Sequence, residues 1–377
     1  MKVFFILDNA YPSNNPSAKR VKCYCKGLLR QSIQVEILTI SQKGSPEDAE
    51  GIPYKNIGRG HSGSLVSKIS TFFYNIRELR NYIHDNSTSE DIVFLYSDGL
   101  ITGILPFIIG FRYRYIRELC EIPYYFNTLN AKLHRLFYSS IVFKAYSGVV
   151  AISESLERYA YKHKSKKCKV VRIPILVDFE KYKSLEARNT IDEKIIFHSG
   201  SHTEEKDGFY GMLKVLGILK ANYNISMQLV CTGQAPQTAE YRSLIEKYGI
   251  ASNITFLGYI SGSVLLEWQS KSSLFIINKY DSFQNRYCFA TKLGEYLASG
   301  KLVIATNVGE ITNYLTNAKD CLLVDPGEPE IMAKEISKIY DNPAQFEVIA
   351  ANGKKVAEEC FDCNKATIAL ADFLKSI

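Results

Sequence analysis

From Cys288 to Glu295 the chain reads Cys-Phe-Ala-Thr-Lys-Leu-Gly-Glu, and these types at this spacing could bind an anion beside a diol. The helical period after Thr291 makes Lys292 the opening residue of a helix. Its ammonium then joins the unpaired N–H groups and positive dipole end of that helix. Glu295 follows one turn later, where a carboxylate accepts two hydroxyl hydrogen bonds. Phosphate at the helix start and a diol at its first turn together describe a nucleoside diphosphate, with the ribose on Glu295. Taken alone, Glu295 reads equally as a surface carboxylate paired with Lys292. A second anion signal lies upstream. The strand KIIFHSG ends at Gly200, where a missing side chain lets a ligand approach the backbone, and Lys206 follows just before a helix. A solvated turn is the plain alternative there. Gly233 and Gly258 close two further strands, so three strand-end glycines suggest one rim kept open for a ligand.

These residues need strands to place them. Apolar runs KVFFIL, QVEILTI, DIVFLYSD, YRYIRE and SGVVAIS alternate with helix-period segments such as AKRVKCYCKGLLRQ. The second half repeats the pattern with KIIFHSG, SMQLVCTG, NITFLG, SLFIIN and KLVIAT between helical stretches. Such alternation predicts parallel sheets covered by helices on both faces. The fold class is therefore α/β, with two doubly wound, Rossmann-like domains facing a cleft. Their expected spans are 1–183 and 184–377, joined by the polar stretch Lys181–Lys194, with the last helix packing back on the first domain. Ligands of open α/β sheets bind outside the carboxyl ends of the strands.

Composition narrows the classes. The chain has 377 residues and 46% hydrophobic content, enough for two cores. Lys and Arg number 27 against 16 Asp and Glu through Leu185, and 19 against 23 beyond it. The basic first half suits an anionic membrane surface better than nucleic acid, because no nucleic-acid motif has its expected spacing. The opening MKVFFILDNAYPS reads as a first strand rather than a signal peptide. The longest apolar run, Leu100–Phe111, is too short to span a bilayer. Nine cysteines, an odd number, fit reduced thiols and a cytoplasmic location, with peripheral contact at the inner membrane face. Gly58, Gly60 and Gly63 spell G-x-G-x-x-G, but no acid follows at a strand end, so a flexible loop is the better reading.

The order and spacing of these motifs, with KLGEYLASGKLVIATNVGE as the most specific, resemble the retaining nucleotide-sugar glycosyltransferases of family four, the group 1 family with the GT-B fold. The resemblance covers nearly the whole chain. The first half adds the opening strand, polar loop and first helix, then AISESL and RIPILVDFEKY. The resemblance implies that Lys206 contacts the donor diphosphate. It places Gly200, Ser201, Gly233, Arg286, Phe289, Ala290, Thr291 and Lys292 around the donor, with Phe289 and Ala290 presenting backbone N–H groups. Glu295, second glutamate of the family's E-x7-E motif, would hold the ribose. Two departures stand out. Tyr287 occupies the place of the first glutamate, and Ser201 that of the arginine after the strand-end glycine. Arg286 and Lys292 would then supply positive charge, and Asp281 would face the sugar.

The implied reaction is transfer of a hexose-type sugar from a nucleoside diphosphate sugar to a saccharide acceptor, lipid-linked, with retention of configuration, in surface polysaccharide or glycoconjugate assembly. No metal and no cofactor are expected. Lys206, Lys292 or Arg286 and a helix N-terminus would stabilise the departing diphosphate. Asp98 and Glu118, at strand ends of the first half, are the candidate catalytic carboxylates. The acceptor would meet the loop Tyr11–Arg20, with Asn14, Ser17 and Arg20. The segment Ala131–Tyr146 reads either as an amphipathic interfacial helix or as a core helix with a basic outer face. Two rival readings are a sugar-nucleotide epimerase of similar shape and a catalytically degenerate nucleotide-sugar-binding subunit.

Overall fold

The computed structural model describes all residues except 10, 14, 41–48, 60–62, 97–99, 124–127, 184 and 186–192, and only the backbone of 100–102. Asn14, Asp98, Gly60 and much of the expected linker lie outside the described residues.

Two parallel sheets carry the fold. The first contains β1 (Lys2–Leu7), β2 (Gln34–Thr39), β3 (Tyr54–Asn56), β4 (Ile92–Tyr96), β5 (Arg114–Leu119), β6 (Gly148–Ala151) and β7 (Lys169–Arg172), in the order β3-β2-β1-β4-β5-β6-β7. The second contains β8 (Ile195–His198), β9 (Gln228–Cys231), β10 (Ile254–Phe256), β11 (Leu274–Ile277), β12 (Leu302–Thr306) and β13 (Leu322–Val324), in the order β10-β9-β8-β11-β12-β13. Continuous apolar runs form the central strands because helices cover both faces. Val3, Phe4, Phe5, Ile6 and Leu7 of β1 are all fully buried, as are Phe275 and its neighbours in β11. Both sheets are doubly wound. Strand order reverses between β1 and β4 in the first and between β8 and β11 in the second, which makes these the switch points where ligands of such sheets bind.

The compact units are Met1–Leu176 with Cys363–Ile377, and Val177–Asp362. The first crossing thus falls before the expected 183/184 boundary. Residues from Val177 onward pair with the second unit: Val177 N–H donates to the Phe361 carbonyl at 2.8 Å, and the Tyr182 hydroxyl donates to Gln269 Oε1 at 2.9 Å. The last helix, Cys363–Ser376, lies against the first helix, Pro16–Arg30. Gly27 permits this approach, since a Cβ there would stand 1.8 Å from Thr367 Oγ1. No described helix is long and apolar enough to cross a membrane.

The helix Leu129–Ser140 turns its apolar residues outward. Leu129, Leu133, Leu136 and Phe137 recur at helical spacing on the exposed side, and Ile141 continues the stripe. Ala131, Tyr138 and Ser139 face inward. Of the two sequence readings of this segment, a core helix with a basic outer face does not describe it.

Candidate functional site

The second-sheet switch point gathers most of the predicted donor residues. β8 ends at His198, and the chain turns through Ser199, Gly200 and Ser201. Across from it, the helix Lys292–Ala298 brings Lys292 and Tyr296, one turn apart, onto the same strand end. Tyr296 is fully buried and stacks on Phe275 at 4.0 Å, while its hydroxyl accepts from the Ser199 N–H at 3.1 Å. Lys292 reaches over Gly200. A Cβ on Gly200 would lie 2.2 Å from Lys292 Nζ and 2.7 Å from Asp207 Oδ2, so the strand-end glycine is a steric need of this contact.

Lys292 Nζ donates to Asp207 Oδ1 at 2.7 Å, and both side chains are largely buried. The other Asp207 oxygen accepts from the Ser201 N–H and hydroxyl, each at 2.8 Å. One carboxylate therefore collects three donors at the end of β8. Burial works to raise the Asp207 carboxyl, but the charge and hydrogen bond of Lys292 hold it far below the usual carboxylate range. His198 is buried beside this pair, and burial with the Lys292 charge brings it down to about 3. Its ring is neutral at pH 7, and its Nδ1 has no partner among the described residues.

Acid should therefore weaken the second unit. His198 binds a proton in the unfolded chain below about pH 6.5 but not in the native one, so stability is complete above that pH and declines toward the native value near 3. At pH 5 the deficit is about 2 kcal/mol. Asp207 adds a second decline below about pH 4, because its native value also lies under the unfolded one. Trp268, the single tryptophan, sits in the second unit and reports its unfolding directly. Urea midpoints followed by its fluorescence should fall between pH 7 and pH 5 in the parent and stay flatter in His198→Gln. An equal fall in both would remove His198 as the cause.

Lys206 belongs to a short turn of helix, Glu204–Asp207, closed by Gly208. Gly208 has φ +58°, and a Cβ there would lie 1.9 Å from the Asn278 carbonyl oxygen. Asn278 Nδ2 donates to the Gly208 carbonyl at 2.8 Å, and Lys279 Nζ donates to the Lys206 carbonyl at 2.8 Å. The loop after β11 thereby pins the turn after β8. The Lys206 side chain is exposed, and its ammonium has no partner among the described residues.

Phe289 and Ala290 are buried. The Phe289 ring stacks on Tyr314 at 5.3 Å, so only its backbone is available to a ligand. The N–H groups of Phe289, Ala290 and Thr291 have no acceptor among the described residues. Arg286 makes a two-pronged ion pair with Asp281 at 2.6 and 2.7 Å, with both side chains exposed. The two charged groups expected near the donor thus pair with each other at the surface. Gly233 and Gly258 pair backbone to backbone, at 2.6 and 3.1 Å, and both have positive φ. Glu295 is half-buried and accepts from Gln269 Nε2 at 3.4 Å.

The first unit treats its candidates differently. Glu118 is 2% exposed and accepts from Arg20 Nε at 2.8 Å and from the Tyr24 hydroxyl at about the same distance. Arg20 also donates to the carbonyls of Ile173 and Pro174, tying the first helix to β5 and to the exit from β7. Burial pushes the Glu118 carboxyl up against the pull of Arg20. This buried pair joins elements of the fold and offers no free edge to an acceptor hydroxyl. The Ser17 hydroxyl donates to Asn15 Oδ1 at 2.7 Å at the start of the first helix.

Sequence reasoning left three residues without a role: Asp207, Tyr296 and Gln269. Asp207 was visible inside Lys-Asp-Gly, but its partner stands 85 positions away.

Two doubly wound parallel sheets, with the cations and open amides of the second at its switch point, define the GT-B class of two-unit α/β chains. Residues 182–356 match the model of the family described as glycosyl transferases group 1. The chain is 24% identical over 181 residues to the lipopolysaccharide core biosynthesis glycosyltransferase LpsD of Rhizobium meliloti, covering 48% of this chain and 49% of LpsD. It spans about half the length, or less, of the curated relatives it matches. Over the full length of both chains it superposes on the crystal structure of Anabaena Alr3699/HepE in complex with UDP-glucose, with TM-score 0.75 and 16% identity. The sucrose-phosphate synthase of Thermosynechococcus elongatus gives TM-score 0.76 at 17% identity, covering 100% of this chain and 98% of that one.

Proposed function

We propose that this protein is a retaining, metal-independent glycosyltransferase. It moves a hexose-type sugar from a nucleoside diphosphate sugar to a saccharide acceptor in surface polysaccharide or glycoconjugate assembly. The observation that carries the reading is the juxtaposition at the β8 end: Lys292 and the turn bearing Lys206 meet there, with free N–H groups at Phe289–Thr291 and Glu295 one helical turn on. Breaking the anomeric C–O bond leaves negative charge on the diphosphate. Two ammonium groups and oriented amides stabilise that charge where it develops. Glu295 accepts the ribose hydroxyls. With Glu118 committed to Arg20, the acceptor hydroxyl passes its proton to the departing phosphate, on the same face as the leaving group. The group 1 match and the UDP and UDP-glucose complexes of HepE support the donor class, and LpsD supports the polysaccharide setting.

Lys206→Ala should lower kcat/KM by about 10²-fold or more with an unchanged unfolding midpoint, because an exposed, unpartnered ammonium holds nothing in the fold. Near-parent turnover of a radiolabelled nucleotide-sugar panel would reject the site. A second reading, a nucleotide-sugar-binding subunit without turnover, draws on Ser201 in the arginine place and on the neutralisation of Lys292 by Asp207. Donor binding without transfer to any acceptor would favour it.

The acceptor is lipid-linked, and the chain works at the cytoplasmic face of an anionic membrane. The outward stripe Leu129, Leu133, Leu136, Phe137 and Ile141, flanked by Lys132, Arg135 and Lys144, has the composition of an interfacial helix. Co-sedimentation should be stronger with vesicles containing phosphatidylglycerol than with phosphatidylcholine alone, and Leu133→Glu with Leu136→Glu should abolish it. Equal binding to both vesicles would remove this part of the proposal.

A further inference from the structure

The helix Gly262–Lys271 contains Val264, Leu265, Leu266 and Trp268, yet its one fully buried residue is Gln269. A primary amide taken wholly out of water is costly unless both its ends are satisfied. Both are. Gln269 Nε2 donates to Glu295 Oε2 at 3.4 Å, and Gln269 Oε1 accepts from the Tyr182 hydroxyl at 2.9 Å. The polarity of this chain is forced. An ionised carboxylate only accepts, so the amide nitrogen must face Glu295, and the amide oxygen is left for the tyrosine hydroxyl. Tyr182 is itself buried, on the short helix Glu180–Lys183 just inside the second unit.

We infer that Gln269 is a positioning residue for donor recognition: held by Tyr182, it fixes the Glu295 carboxylate in the orientation that clasps the ribose 2′- and 3′-hydroxyls. This rests on the proposed role of Glu295. A carboxylate is rigid and planar and turns as a unit about the Cγ–Cδ bond, so two diol hydrogen bonds require that plane to be set. The hydrogen bond from the buried Gln269 amide to Oε2 fixes that plane from the protein side. The consequence is selectivity as well as affinity, because a correctly aimed carboxylate distinguishes a ribonucleotide from its 2′-deoxy form.

The test uses calorimetry on the full chain. UDP, GDP and ADP are titrated first, and the tightest is carried forward with its 2′-deoxy counterpart and inorganic pyrophosphate. The parent should prefer the ribonucleotide. Gln269→Leu, similar in shape but unable to hydrogen-bond, should reduce that preference about five- to tenfold and leave pyrophosphate affinity unchanged. Tyr182→Phe should reduce it less, by freeing the amide to rotate. If Gln269→Leu fails to fold, the double variant Tyr182→Phe/Gln269→Leu removes the orphaned hydroxyl and answers the same question. A parent that prefers ribose and a variant that keeps the full preference would overturn the role of Gln269 alone. A parent that ignores the 2′-hydroxyl would overturn the role of Glu295, and this inference with it.

Discussion

Lys292→Ala is expected to cost both turnover and stability, and a second substitution should restore only the stability. In the parent, Lys292 and Asp207 share a 2.7 Å ion pair with 14% and 11% of their side chains exposed. Removing the lysine leaves a largely buried carboxylate hydrogen-bonded, among the described residues, to Ser201, and breaking such a pair from one side costs about 3–5 kcal/mol. The same change takes a cation from the place where the diphosphate gathers charge and exposes that diphosphate to Asp207. Loss of one preorganised electrostatic group costs about 10²–10³ in kcat, and the bare carboxylate adds repulsion. In Lys292→Met/Asp207→Leu the buried charges disappear together. Its urea midpoint should recover most of the loss, since replacing both partners of a buried pair by apolar groups is often neutral. Its transferase activity should remain at the single-variant level. Recovery of activity in the double variant would show that Lys292 serves only to neutralise Asp207.

The same pair shows where sequence stopped informing the site. Lys292, Gly200 and Glu295 were legible because their types and local spacing carry the chemistry. The Lys292–Asp207 contact was not, because its members are 85 positions apart and meet only through the adjacency of β8 and β11. Glu118 illustrates the converse. At the end of an apolar strand it reads as an available carboxylate, but Arg20, 98 positions earlier, consumes it inside the first unit. The fold followed a similar division. Central strands such as β1, β11 and β12 announce themselves as unbroken apolar runs because both their faces are covered. The strands that went unread, β3 (Tyr-Lys-Asn), β7 (Lys-Val-Val-Arg) and β13 (Leu-Leu-Val), are short and lie at sheet edges. With three or four residues and one neighbouring strand each, they are too short for a strand period to show in the sequence.

Glu295→Ala should separate the two ends of the donor. The carboxylate is half-buried in the first turns of the helix Lys292–Ala298, with its own hydrogen bond from Gln269. Hydrogen bonds to a charged acceptor contribute about 1.5–3 kcal/mol each, so losing two hydroxyl partners weakens the nucleoside diphosphate by roughly 10²–10⁴-fold. Inorganic pyrophosphate makes no use of Glu295, and its affinity should hold or rise slightly as a nearby negative charge is removed. The unfolding midpoint should fall by little, because Glu295 is only half-buried and water can take the place of its carboxylate. Glu295→Gln is the sharper probe. It keeps shape and hydrogen-bonding capacity but offers the diol one neutral acceptor, so its loss should be about 1–2 kcal/mol smaller than that of the alanine variant. Calorimetry on the three proteins with both ligands decides the point. If alanine weakened pyrophosphate as much as the nucleotide, the damage would be general to the rim, and Glu295 would have no claim on the ribose.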